Sequence, residues 1–149
     1  MLSELWKKAR TVKNFKLEFL EPTYFNTTRS NNIIRLPIPE LIFGNLINLW
    51  NKYYDGEFNF DRRVFLDWIN SNIFPSSFKV KTQAKEMGEK IPAVGVVGWV
   101  NFKINKPNSD YAKYIDCLCK FGELSNLGGN RTAGFGVIQY TALNYNIKS

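Results

Sequence analysis

Four of the ten glycines in this 149-residue chain fall within Leu124–Ile138, at Gly128, Gly129, Gly134 and Gly136. Arg131 and Thr132 lie between them, after Asn130, and Phe135 separates the last two. Glycine reaches backbone conformations that other residues avoid and lets a ligand come close to the main chain. Bare N–H groups and a guanidinium both bind anionic oxygens, so this composition suits a phosphate-bearing ligand. It also suits a glycine-rich turn that binds nothing. Two familiar nucleotide motifs are excluded. Gly129 and Gly134 have the separation of a Walker loop, but Phe135 and Gly136 follow where a lysine and a Ser/Thr are required. A dinucleotide fingerprint leaves a strand and opens a helix, whereas here a helix-like run comes first and a strand-like run follows.

Other side chains limit the chemistry further. The chain has no histidine and two cysteines, Cys117 and Cys119, which excludes the usual zinc sites. Positions two apart on a helix point away from each other. The pair therefore reads as buried or half-buried thiols in a reducing cytosol, and no cofactor is expected. The net charge of +7, from 20 Lys+Arg against 13 Asp+Glu, favours a polyanionic partner. The same excess could simply form a solvated surface. No long apolar run opens the chain, so neither a signal peptide nor a membrane span is expected. The expected location is cytoplasmic.

The elements that must position this stretch follow from hydrophobic period. Ser3–Val12 reads as a short amphipathic helix with Leu5, Trp6, Ala9 and Val12 on one face. Residues 14–20 alternate as a half-buried strand. A polar loop with Arg29 follows, then a short extended piece, Ile33–Ile38. Glu40–Tyr54 has helical spacing, with Pro39 suited to the first turn. Residues 61–73 form a further helix capped by Asp61. Phe78–Gln83 alternates as a strand, 84–90 reads as a charged loop, and Val94–Ile104 is a valine-rich strand. Gly95 and Gly98 mark a bulge or a close neighbour there. A helix beginning after Pro107–Asp110 leads to the glycine-rich stretch, and Phe135–Leu143 closes as a strand. The order is strand, helix with an inserted helix, strand, strand, helix, strand. That is the split βαβ or ferredoxin-like order of an α+β domain, a four-stranded antiparallel sheet with helices on one face. The expected division is a helical arm over 1–13 and one domain over 14–149, large enough for a core without staples.

On these residues the chain resembles a known superfamily. A helix leading to Gly128-Gly129, then Arg131, then Gly134-Phe135-Gly136 entering the last strand looks like the C-terminal signature of the RAMP proteins of CRISPR systems. The family usually has glycine at the place of Asn126, and asparagine tolerates left-handed backbone better than most residues. Phe19-Leu20-Glu21-Pro22-Thr23-Tyr24-Phe25, Arg29, Leu36-Pro37-Ile38-Pro39, then Phe43, Leu46 and Trp50 resemble the opening of the C-terminal half of the repeat-processing endoribonuclease Cas6. Gly95–Val100 is similar to its penultimate strand. The likeness runs over residues 15–143.

The resemblance implies a ferredoxin-like half that binds CRISPR repeat RNA. The processing reaction it implies needs no metal: a ribose 2′-OH attacks the adjacent phosphate and leaves a 2′,3′-cyclic phosphate. In many members a histidine from the first half assists. This chain has none, so no catalytic residue carries over. The RNA-binding candidates are Gly128, Gly129, Asn130, Arg131, Thr132, Gly134, Phe135, Gly136, Tyr24 and Arg29. Tyr24 and Phe25 are candidates for stacking on bases. Lys7-Lys8, Arg62-Arg63 and Lys79/Lys81 join an RNA path only if the fold brings them to the bend. The expected partners are repeat RNA and either a second ferredoxin-like domain or chain or a homodimeric copy. Two alternatives stand beside this: a non-catalytic RNA-binding subunit, and an unrelated ferredoxin-like ligand or protein-interaction module.

Overall fold

The structure is a computed structural model and describes residues 2–26, 33–54, 61–88, 90–129, 131 and 134–145. Arg29, Asn130 and Thr132 lie outside the described residues. The elements are α1 (Leu2–Lys8), β1 (Val12–Thr23), β2 (Phe25–Asn26), β3 (Ile33–Ile34), α2 (Pro39–Tyr53), α3 (Arg62–Asn72), β4 (Ile73–Met87), β5 (Lys90–Ile104), α4 (Asp110–Ser125) and β6 (Ile138–Tyr145). Four strands form one sheet in the order β4-β5-β1-β6, with every neighbouring pair antiparallel. This is the expected ferredoxin-like arrangement. The short β2 and β3 pair with each other.

Alternation along the strands puts one face of the sheet under the helices. Phe15, Leu17 and Phe19 of β1, Val100, Phe102 and Ile104 of β5, and Ile138 and Tyr140 of β6 are buried there. Phe15 stands at the centre, its ring stacked on Phe102 at 5.2 Å and edge-on to Phe43 of α2 at 6.2 Å. The apolar face of α2 carries Ile42, Phe43, Leu46, Ile47 and Trp50 into this layer. Trp50 meets Phe121 of α4 edge-on at 5.4 Å. Local chemistry sets the helix starts as expected. Pro39 opens α2, and the Asp61 carboxylate accepts from the Val64 N–H at 3.3 Å to cap α3. Both cysteines are buried on α4.

Several expected boundaries are corrected. The first helix ends at Lys8, and Val12 belongs to β1, where it pairs with Tyr145. α1 lies against α4, its Trp6 ring 5.0 Å from Tyr114. Only Ile33–Ile34 of the second extended piece forms a strand. The charged loop over 84–90 is instead the outer end of a hairpin. Met87 pairs with Lys90, and Gly88, at φ 68°, occupies the turn. Gly95 and Gly98 are both close approaches, Gly95 to the backbone of Pro22 and Thr23, and Gly98, at φ 117°, to the carbonyl of Lys79. The last strand begins at Ile138, so Phe135 belongs to the bend before it.

Candidate nucleic-acid interface

The bend joins the C-terminus of α4 to β6. Asn126 ends the helix at φ 61° and ψ 177°, a conformation that glycine adopts far more readily. This is the position at which the resembled family has glycine. Leu127 is fully buried and anchors the turn from below. The bend closes on itself where the Leu127 N–H donates to the Gly136 carbonyl at 2.9 Å. It is then fastened to the end of β1: Gly129 N–H donates to the Tyr24 carbonyl at 3.0 Å and Gly136 N–H to the Pro22 carbonyl at 3.1 Å. Gly128 N–H donates to Asn45 Oδ1 of α2 at 3.0 Å.

Three of the four glycines therefore serve close packing within the protein. A Cβ on Gly128 would collide with the Tyr24 carbonyl, and one on Gly136 with the Leu127 carbonyl. A Cβ on Gly129 would lie 2.5 Å from Tyr24 Cε2. Leu127, Phe135 and Gly136 are buried, whereas Gly128, Gly129, Arg131 and Gly134 are half-buried, so the bend is packed at its base and keeps a half-exposed outer lip that includes Arg131 and Gly134.

The aromatic candidates are corrected on the same ground. Tyr24 and Phe25 are 7% and 3% exposed, and Phe135 is fully buried. Tyr24 and Phe135 meet edge-on at 5.8 Å beneath the lip, so their rings support the bend and do not present a stacking surface. Burial raises the Tyr24 phenol above its usual value.

Two cations flank the lip. Arg131 Nη1 donates to the Ser125 carbonyl at 3.2 Å, answering the negative end of the α4 dipole. The Arg131 carbonyl accepts from Asn126 Nδ2 and from the Gly134 N–H, each at 3.3 Å. Lys85, from the outer end of β4, reaches over the other side. Its Nζ donates to the Gly134 carbonyl at 3.2 Å, pairs with Glu21 Oε2 at 3.0 Å and stands 5.6 Å from the centre of the Phe135 ring. The bend thus has a guanidinium at the end of α4 and an ammonium at Gly134, groups of the kind that bind a phosphodiester. Sequence reasoning missed Lys85, Glu21 and Asn45. Gly88, a turn signal for the hairpin, was the available pointer to Lys85; Asn45, in mid-helix, offered none.

Of the basic runs, Lys79 and Lys81 belong to the strand that delivers Lys85. Lys7-Lys8 and Arg62-Arg63 belong to α1 and α3, whose Trp6 and Phe65 pack on Tyr114 and Tyr111. Those aromatic contacts are at the end of α4 opposite the bend, while the Arg62 guanidinium reaches α2 at Gly44, next to the Asn45 that holds Gly128.

Comparison with known proteins agrees with this architecture. The model of the CRISPR-associated endoribonuclease Cas6 family matches residues 17–138. The Cas6 endoribonuclease of Mycobacterium tuberculosis (strain CDC 1551 / Oshkosh) is 29% identical over 133 residues, which is 89% of this chain and 40% of that protein. The solved Cas6 of Thermus thermophilus superposes with a TM-score of 0.82 at 19% identity, over 94% of this chain and 57% of that one. A Cas6 solved as a product complex gives 0.81 at 18% identity, over 94% and 55%. The chain thus spans about half the length of the relatives it matches, or less. It belongs to the family of the CRISPR-associated endoribonuclease Cas6.

Proposed function

We propose that this chain binds CRISPR repeat RNA at the outer lip of the 126–136 bend, as the C-terminal half of a repeat-processing endoribonuclease. The observation that carries the reading is that one bend holds Arg131, whose guanidinium lies at the end of α4, and Gly134, whose carbonyl accepts from Lys85, on a base fastened to Tyr24, Pro22 and Asn45. The fixed main chain needs no reorganisation when the ligand arrives, and Lys85 exchanges its Glu21 partner for the phosphate. In that role the lip holds the backbone next to the scissile phosphate while a 2′-OH attacks it, with no metal required. No histidine occurs in the 149 residues, and in this reading a second ferredoxin-like domain or chain supplies the proton acceptor. The same lack of histidine favours a second reading, a non-catalytic RNA-binding subunit.

Incubating the chain, alone and together with a first ferredoxin-like half, with end-labelled repeat RNA in the presence of a chelator separates the two. One cleavage site with a cyclic phosphate end indicates the enzyme. A shifted but intact RNA indicates the binding subunit. Under either reading Arg131→Ala weakens binding and lowers the slope of log K against log salt by roughly 0.7–0.9, one phosphate contact. Unchanged binding at both low and high salt would remove Arg131 from the interface.

A further inference from the structure

Gly44 lies inside α2 and is buried. A glycine in a helix interior costs roughly 1 kcal/mol against alanine. Its missing side chain makes a notch, and the notch holds Arg62 of α3. A Cβ on Gly44 would lie 3.1 Å from Arg62 Nη2 and 3.9 Å from Cζ. The guanidinium thus rests on α2 where alanine would push it outward. The next residue, Asn45, accepts from the Gly128 N–H at 3.0 Å, so one turn of α2 seats Arg62 and fastens the bend. Arg62 is exposed, and among the described residues no carboxylate pairs with its guanidinium. Lys85 has Glu21, and Arg131 has the Ser125 carbonyl. Arg62 also stands in the first turn of α3, where the helix dipole disfavours a cation. Neither residue therefore suits its own helix. Local choices that break the rules of their element mark positions under another demand.

We infer that Arg62 binds a phosphate of the RNA on the Gly128 side of the bend, as Lys85 does on the Gly134 side. The inference rests on the RNA-binding reading above and adds a residue to that interface. A guanidinium grips a phosphodiester through two parallel N–H donors, which an ammonium cannot do. Resting on α2, it gives up less side-chain freedom on binding than an arginine free in solvent. An acidic protein surface also pairs with a guanidinium. RNA is favoured because the notch adjoins, through Asn45, a bend that already carries Arg131 and Lys85. Three cations along one bend match a backbone with a charge at every nucleotide. Arg63 lacks this seat. It leaves the helix about 100° further round, since adjacent positions do not share a face.

The test titrates the 149-residue chain into end-labelled repeat RNA over a range of salt. Arg62→Ala is expected to lower affinity about 3- to 20-fold at low salt and the salt slope by roughly 0.7–0.9. Arg62→Lys keeps the slope and recovers part of the affinity. Gly44→Ala melts no lower than the wild type yet binds more weakly, and adding it to Arg62→Ala weakens binding no further. Arg63→Ala is the control and changes the slope less. If Arg62→Ala does not fold, Arg62→Gln, which keeps the stem, decides. If Arg131→Ala weakens binding while the Arg62 and Gly44 variants bind like the wild type, the inference is overturned and the proposed function stands. Weaker binding with an unchanged slope and a lower melting point makes Arg62 a packing residue and overturns it. An equal slope change in Arg63→Ala means a diffuse field without a seat and overturns it too. If Arg62→Ala loses association with a first ferredoxin-like half in sedimentation but binds RNA unchanged, Arg62 belongs to a protein interface and the inference is likewise overturned. A wild-type chain that binds no RNA overturns both readings.

Discussion

The Tyr140 hydroxyl donates to Asp116 Oδ1 at 2.6 Å, a charge-assisted bond buried between β6 and α4. The carboxylate is wholly buried and has three further donors: the Arg10 N–H at 3.0 Å and Lys120 Nζ at 2.9 Å on Oδ2, and the Tyr145 hydroxyl at 3.3 Å on Oδ1. A buried charge persists only when its lone pairs are satisfied. Here the donors come from the α1–β1 junction, from α4 itself and from β6. Asp116 thus fixes the helix that ends in the bend relative to both strands that flank it.

Tyr140→Phe therefore costs more than Tyr145→Phe. The shorter, fully buried bond to an ionised acceptor is worth about 1.5–3 kcal/mol, against about 1 kcal/mol or less for the longer, part-exposed one. Urea unfolding of the two variants measures the difference. Equal losses would show that Tyr140 contributes by packing on Phe15 rather than through its hydroxyl.

Stability should fall on the alkaline side. Burial, then the Asp116 charge, pushes the Cys117 thiol up to about 12, and Cys119 is raised as well. Burial first, then nearby negative charge, raises Tyr140. Burial works against the Lys120 charge, but its hydrogen bond and attraction to Asp116 outweigh this and raise it. In every case the folded state keeps a proton that the unfolded chain releases at about 8.5 for thiol and about 10 for Tyr and Lys. Unfolded chains bind fewer protons above those values, so stability declines as pH rises from about 8.5 through 10 and beyond. Unfolding midpoints at pH 7, 9 and 10.5 measure this, and a rising midpoint would contradict it. Both thiols should also resist alkylation at pH 8 until denaturant is added.

Glycine positions should separate sharply. Gly88 has φ 68° at the hairpin turn with nothing within 4 Å of a built Cβ, so Gly88→Ala costs only the left-handed penalty of about 1–2 kcal/mol. Gly136, at φ 74°, meets that penalty and the Leu127 carbonyl as well, adding about 1–3 kcal/mol of overlap. Thermal melts of the two variants give the comparison. Gly136→Ala melting no lower than Gly88→Ala would mean that the bend yields easily and is not the rigid base described here.

The ferredoxin-like order was legible because the covered face leaves a period. Phe15, Leu17 and Phe19 alternate along β1, and Ile42, Leu46, Leu49 and Trp50 recur at helical spacing in α2. The outer hairpin was not legible. Thr82, Gln83, Ala84 and Glu86 are exposed, so neither face imposes apolar alternation, and charge alone reads as loop. Gly88 was the better signal, since a two-residue hairpin favours glycine. The bend was visible from its glycines, but three of the four turned out to admit Tyr24 or the backbone of Leu127 rather than a ligand. For Gly128 and Gly129 that distinction depends on Tyr24, more than a hundred residues away. Asp116 looked like one more polar residue on a helix, because its donors are spread from Arg10 to Tyr145. The family match over 17–138 decides against an unrelated ligand-binding module, a choice the fold alone leaves open.

The Glu21–Lys85 pair makes a prediction of opposite signs. Glu21 is 42% exposed and Lys85 29%, so the pair adds about 1 kcal/mol or less to stability, and either partner can be replaced without unfolding the chain. A phosphate arriving at the Gly134 lip must compete with the Glu21 carboxylate for the Lys85 ammonium. Glu21→Gln should therefore tighten RNA binding, by about two- to five-fold at low salt, an energy of the size of the surface pair it releases. Lys85→Ala should weaken binding and lower the salt slope by roughly 0.7–0.9. Filter binding of both variants checks the signs. If Glu21→Gln weakens binding as much as Lys85→Ala does, the carboxylate holds Lys85 in position for the RNA rather than competing with it.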